Sequence, residues 1–217
     1  MRHPSPRPVR RPKPSDPIST VLASGALVRL AIHLGVRPDE EQHFRSLLRR
    51  TGLPIRSLQH ELQRLERLGV VTRRPVGRTV RFPLKEDTAA WRVLCAALRE
   101  LADPADVLRA SLVEVPGVEV AFLFGSFARG DFRSESDIDL WVVGESIDEG
   151  ALARATLETG VLLAREVNVV HYGIAEMVRR VEEGSGFVQR ALGGPKRWVV
   201  GDAERLAGLV PIPGRAG

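Results

Sequence analysis

Residues 118–143, VEVAFLFGSFARGDFRSESDIDLWVV, decide how the rest of the chain is read. An apolar run at 118–124 stops at Gly125-Ser126. A short segment at 127–136 follows before a second apolar run resumes through Asp137-Ile138-Asp139-Leu140. The pattern predicts a strand, a tight turn opening a helix, a polar loop and a second strand. Alternation along the second strand puts Asp137 and Asp139 on one face and turns Ile138 and Leu140 to the core. Two carboxylates so spaced lie ~7 Å apart at Cα and can converge on a hard cation such as Mg2+. Gly125 permits close backbone approach, and Ser126 falls where a helix N-terminus would offer N–H groups to phosphate. A cation site beside a phosphate cradle is the chemistry of a nucleotide.

The same residues carry a family resemblance. GSFARGDFRSESDID resembles the signature of polymerase-β-like nucleotidyltransferases, Gly-Ser followed after ten residues by Asp-x-Asp, matched without a gap from Gly125 to Asp139. The minimal, prokaryotic branch is the nearest in pattern. The resemblance implies that Gly125 and Ser126 hold the triphosphate and that Asp137 and Asp139 are catalytic and bind one or two Mg2+ ions. Arg129 and Ser136, inside the motif, are implied in phosphate binding or loop geometry. In the family a third strand normally bears a further carboxylate. Here that strand is expected at 166–171, and the matching position is Asn168. Asn can coordinate or hydrogen-bond but is neither a general base nor a charge-balancing ligand. Glu166, two residues earlier, is the alternative third position, one pleat (~7 Å) away.

The net charge of +5 is unevenly spread. Residues 1–17 carry +4, residues 18–85 carry +8 and residues 86–217 carry −7. A basic half joined to an acidic one points to a polyanionic partner for the first alone. Residues 1–17 alternate Pro with Arg and Lys and are expected to form a disordered basic arm, either a DNA tether or a solubilising tail. Residues 18–86 predict three helices, at 18–34, 43–50 and 54–68, then short strands at 70–74 and 80–84 around a turn at 75–78. That order resembles a winged helix-turn-helix.

On the third helix Leu58, Leu62 and Leu65 form one buried stripe. The opposite arc carries Arg56, His60, Gln63 and Arg67, with Arg64 at its edge, a face suited to the major groove of duplex DNA. Arg73, Arg74, Arg78 and Arg81 on the hairpin suit phosphate contacts. A connecting helix at 87–102 presents Trp91, Leu94, Leu98 and Leu101 on one side, to pack on the first unit or to form a homodimer seam.

The expected architecture is α+β: a winged helix-turn-helix, then at 103–210 a mixed-sheet nucleotidyltransferase core with helices on one face, and a tail at 211–217. Further helices are expected at 104–113, 147–159, 175–183, 186–192 and 202–207, with a last strand at 196–200. No apolar run reaches membrane-spanning length, and the basic start lacks a signal-peptide core. Cys95 alone forms no intrachain disulfide and is expected to be a buried structural thiol. A soluble, cytoplasmic protein fits these features. Two functions follow from the parts: a DNA-binding regulator whose second domain binds a Mg-bound nucleoside triphosphate (Mg–NTP), or an active nucleotidyltransferase modifying a partner protein. The second comes from the resemblance, since minimal family members acting as antitoxins transfer AMP to their toxin.

Overall fold

A computed structural model describes residues 25–38, 40, 42–133 and 136–211. The expected basic arm, the start of the first helix and nearly all of the C-terminal tail lie outside the described residues. The chain forms a mixed α and β structure with two sheets.

The first unit comprises α1 (Gly25–Gly35), β1 (Gln42–His43), α2 (Phe44–Thr51), α3 (Ile55–Arg67), β2 (Arg74–Val76) and β3 (Thr79–Phe82). Leu58, Leu62 and Leu65 are buried as the periodicity requires, and Glu61 joins them at 5% exposure. Gly52 ends α2 in the left-handed region (φ 61°), with its N–H donating to the Leu48 carbonyl. That conformation is where glycine is least strained. The hairpin differs from expectation. Its strands lie closer to the turn, Pro75 pairs within β2 opposite Val80, and β1 adds a third strand, giving the order β1-β3-β2. Pro75 is tolerated because β2 is an edge strand.

Two helices follow, α4 (Ala89–Leu101) and α5 (Pro104–Leu112). Thr88 caps α4 by accepting from the Trp91 N–H, and Asp103 caps α5 by accepting from the Ala105 N–H with Pro104 in the first turn. Both are ordinary N-terminal signals. Trp91, Leu94 and Leu98 are buried within the chain's own core, so this face of α4 packs inward, whereas Leu101 is exposed. Cys95 beside them is half-buried, and burial pushes its thiol pKa up.

The second sheet has the order β6-β5-β4-β7, built from β4 (Val118–Leu123), β5 (Ile138–Gly144), β6 (Val167–Gly173) and β7 (Arg197–Val200). β4 is antiparallel to both neighbours and β5–β6 is parallel. The remaining helices are α6 (Gly125–Arg129), α7 (Glu149–Leu163), α8 (Ile174–Glu182), α9 (Gly186–Gly193) and α10 (Ala203–Leu209).

Helices cover both faces of this sheet, not one. Ala121, Leu123, Ile138, Leu140 and Val142 share a cluster with Leu108, Leu112, Leu152 and Leu162 of α5 and α7. Val120, Phe122, Trp141 and Val143 share another with Met177, Val181, Val188 and Leu206 of α8, α9 and α10. The reason lies in the strands: 120–123 and 140–143 are apolar at every position, and a strand apolar on both sides must be covered on both.

The first cluster does not stop at the sheet. It runs through Trp91 and Leu98 to Leu27, Leu30, Leu58 and Leu65, joining the two units in one core. Polar contacts reinforce the junction. Arg50 donates to both carboxylate oxygens of Glu114 (2.6 and 2.5 Å), and Arg37 to the Ala110 and Ser111 carbonyls (3.4 and 3.2 Å).

Candidate functional site

β4 carries the chain to Phe124, whose N–H donates to the Asp139 carbonyl across the ladder (3.1 Å). Gly125 then turns with φ 65° and opens α6, a single turn closed by Gly130 at φ 79°. The tight point is between Gly125 and Asp139. A Cβ added at Gly125 would stand 2.3 Å from Asp139 Oδ2. Glycine is therefore required twice here, by the dihedral and by the carboxylate packed against its α-carbon.

β5 and β6 run parallel with Asp139 opposite Asn168, and the Asn168 side chain hydrogen-bonds the Asp139 carboxylate. Partial burial holds the Asp139 carboxyl above its usual range. The Asn168 hydrogen bond opposes that rise, Asp137 adds to it and Arg129 again opposes it. A carboxylate destabilised by desolvation and a second carboxylate is one whose ionised form a bound cation would favour. Asp137 is exposed just ahead of β5. The structure thus groups Gly125, Arg129, Asp137, Asp139 and Asn168. Glu166 is not among the groups acting on Asp139; it lines a groove between α7 and β6 instead.

The loop between α6 and Asp137 is held from behind. Arg165, at the α7–β6 connection, donates to the Arg133 and Ser136 carbonyls (3.0 and 3.1 Å). Its guanidinium lies over the Phe127 ring, which stacks on Phe132. Ser136 Oγ accepts from the Arg133 N–H (2.8 Å), so this side chain shapes the loop. Arg129 pairs with Asp131 at 3.0 Å. Sequence reasoning missed Arg165, since one arginine before a strand has no distinguishing pattern.

Among the described residues no three or more His, Cys, Asp or Glu side chains cluster as a metal site. Two carboxylates with an amide nonetheless fit Mg2+, which commonly binds one or two carboxylates and takes its other ligands from substrate phosphates and water. The Cβ-sized space filled by Asp139 Oδ2 is consistent with a carboxylate positioned by the fold.

On the first unit, Arg56, His60, Gln63 and Arg67 are exposed on α3, as are Arg73, Arg74 and Arg78 on the hairpin. Gln63, Arg73 and Arg78 line one cleft of about 990 Å3 between α3 and the hairpin. Arg64 is largely covered and turns to Glu61 at 3.5 Å, and Arg81 is partly buried opposite Arg74.

Residues 108–184 match the family model described as Polymerase beta, Nucleotidyltransferase, a span containing the Gly125 turn, both aspartates and Asn168. That stretch is a nucleotidyltransferase-type domain. No curated protein matches the chain. Among solved structures, a toxin–antitoxin with AMP-PNP is 18% identical over 46% of this chain and 76% of its own, with a TM-score of 0.33. A protein described as a nucleotidyltransferase from Sulfolobus solfataricus is 25% identical over 39% and 75%, with a TM-score of 0.26. Among the described residues no helix is long and apolar enough to cross a membrane.

Proposed function

We propose that the chain is a DNA-binding protein whose nucleotidyltransferase-type domain, at 103–210, takes up Mg–NTP. The observation that carries the nucleotide reading is the Asp139 carboxylate seated against the Gly125 α-carbon and bonded to Asn168. In this reading Asp137 and Asp139 hold the cation, and the turn at Gly125-Ser126 receives the phosphates. A bound Mg2+ supplies charge neutralisation at the phosphate under attack. The chain's own groups orient it: Asn168 fixes the Asp139 carboxylate, and Arg165 fixes the loop that leads to Asp137.

The DNA reading takes residues 18–86 as a winged helix. It is supported by the order α1-β1-α2-α3-β2-β3 and by the exposure of Arg56, Gln63, Arg73 and Arg78 along one cleft and its margin. Arg and Gln match base edges, and hairpin arginines match phosphates.

A second reading is nucleotidyl transfer to a hydroxyl of a partner protein. It uses the same Gly125 turn and the same Asp139 carboxylate held by Asn168, with the acceptor hydroxyl in place of water.

The test is titration calorimetry of the full chain with each NTP, with and without Mg2+. Wild type binds one or more NTPs only with the divalent ion, and Asp137→Asn/Asp139→Asn does not bind, since amides cannot replace the carboxylates' charge. Equal, metal-independent affinity in both proteins refutes the assignment. Incubation with α-labelled NTP, DNA and the encoded neighbouring protein then shows where any label goes.

A further inference from the structure

The two edges of the second sheet are treated differently. β7 is four residues long, begins at Arg197 and has two of its carbonyls, Trp198 and Val199, bonded by Arg109. β6 is seven residues long, VNVVHYG, without Pro, Lys or Arg. It pairs with β5 in unbroken register from Ile138↔Val167 to Gly144↔Gly173, and no described strand pairs with its outer side. Natural edges are usually blunted by shortness, charge, proline or a bulge. β7 is blunted, and β6 is not.

Beside that open edge lies apolar surface. Leu157 and Val161 of α7 are 68% and 67% exposed, more than any other large apolar side chain among the described residues. With Ala153, also exposed, they form a helical stripe at i, i+4 and i+8. Together with Val167 and Val169 of β6 they line a groove of about 630 Å3.

The ends of the groove identify its occupant. α7 runs back along β6, so Glu149 and His171 mark one end and Arg165 and Glu166 the other. Leu157 lies seven residues before Ala164, ~10 Å of helix, and Val169 three residues after Glu166, ~10 Å of strand. Both therefore stand midway between the charged ends. A two-fold axis at that level, normal to the sheet, sets β6 antiparallel to its copy and α7 antiparallel to its copy. Leu157 then meets Leu157, Ala153 meets Val161, and Glu149 faces Arg165 of the other chain, while on β6 Val169 meets Val169 and Val167 faces His171. The surface is complementary to itself, as an isologous interface must be.

We propose that a second copy of this chain covers the β6 edge and the α7 stripe, making an eight-stranded sheet across a two-fold. The proposal does not rest on the nucleotide or DNA readings: Asn168 points to the opposite face of β6 from Val167 and Val169, and the one group shared with that site is Arg165, which also braces the loop before Asp137. It assigns the homodimer to this edge, where the sequence had suggested the 87–102 helix.

Sedimentation velocity of the full-length chain, from low micromolar to submillimolar concentration, tests it. The expected species has twice the 23.9 kDa chain mass. Leu157→Arg, at an exposed position, keeps the circular dichroism of wild type and sediments as a monomer. Glu149→Arg, which opposes Arg165 across the axis, weakens the dimer at least tenfold. Leu157→Cys cross-links to a dimer on mild oxidation, because the axis places the two side chains together, while Leu101→Cys on α4 does not. A wild type that stays monomeric throughout the range overturns the proposal and leaves the edge to a heterologous strand. So does a dimer that survives Leu157→Arg, or one that cross-links through Leu101→Cys.

Discussion

Gly125→Ala separates two demands that the site makes on one residue. The first is conformational. Its φ of 65° lies in the left-handed region, where a Cβ costs about 1–2 kcal/mol, partly offset by about 0.4–1 kcal/mol from a stiffer unfolded chain. The net loss is about 1 kcal/mol, or roughly 2–4 °C in Tm for a protein of this size. The second is steric. A Cβ 2.3 Å from Asp139 Oδ2 must push that carboxylate back by about 1 Å to reach ordinary contact. Metal sites tolerate errors of only ~0.2 Å, so Mg-dependent NTP affinity is expected to fall tenfold or more. Gly130→Ala is the matched control. Its φ is 79°, and nothing lies within 4 Å of the added Cβ. It bears the same conformational cost without touching the carboxylate. Scanning calorimetry should show Gly125→Ala losing at least as much stability as Gly130→Ala, and titration calorimetry should show only Gly125→Ala losing nucleotide. If the two bind NTP alike, the contact between Gly125 and Asp139 does not govern the site.

Three further outcomes follow from the structure. Burial, then Arg37, Arg50 and Arg29, lower the His33 pKa from 6.5 to about 4. The unfolded chain therefore takes up a proton that the folded chain refuses. Stability is full above 6.5 and falls as pH drops toward 4, by up to about 3 kcal/mol, and His33→Gln should flatten urea-unfolding midpoints across that window. In DNA binding by the full chain, Arg56→Ala should relax sequence preference by about 1–3 kcal/mol, whereas Arg78→Ala should weaken all sequences alike and flatten the salt dependence. Filter binding to preferred and scrambled duplexes distinguishes these from no DNA affinity at all. Asn168→Asp should lower the Tm of metal-free protein, because a third carboxylate then faces Asp139, and should enlarge the Mg-dependent gain in Tm. It should also raise nucleotidyl transfer by about 10²–10⁴-fold if that position serves as base, and labelled-NTP incubation decides the point.

How far each feature could be read from sequence depends on how local its cause is. The α3 stripe of Leu58, Leu62 and Leu65 is a matter of helical period, and the structure buries all three. The Gly125 turn and the two aspartates belong to one strand–turn–strand unit, so their grouping was legible too. The helices on both sheet faces were also encoded, in the unbroken apolar runs at 120–123 and 140–143. Weighing only the alternation at 137–140 hid them. Two features depend on pairing between segments far apart in sequence, and a third on the burial of a neighbouring side chain. Gln42–His43 is too short to announce itself as a strand. The family resemblance names Asn168 as the third position, with Glu166 as the alternative; the residues alone could not choose, since the choice rests on the register in which β6 pairs with β5. Arg64 looked free for DNA on a helical wheel, but Glu61 one turn away is buried and draws it in.

The junction between the two units bears on how they would communicate. A helix at 87–102 reads as a connector that packs on the first unit or forms a dimer seam. The structure buries Trp91, Leu94 and Leu98 in the core that both units share, with no hinge between them among the described residues. Gly35 of α1 sits so close to Leu162 of α7 that an added Cβ would be 2.8 Å from its Cδ1. Arg50 reaches across to Glu114 with a bidentate pair, and Arg99 to the Leu162 carbonyl at 3.3 Å. Close-packed interiors resist continuous deformation, so independent swinging of the units would open apolar surface and separate these charges. A nucleotide at Asp139 could therefore alter the first unit only by shifting elements already in contact, α7 against α4 and α5 against α1. Coupling of that kind acts in both directions: DNA that favours one packing must change nucleotide affinity by the same factor. Measuring Mg–NTP affinity with and without bound duplex is thus equivalent, in free energy, to measuring DNA affinity with and without nucleotide.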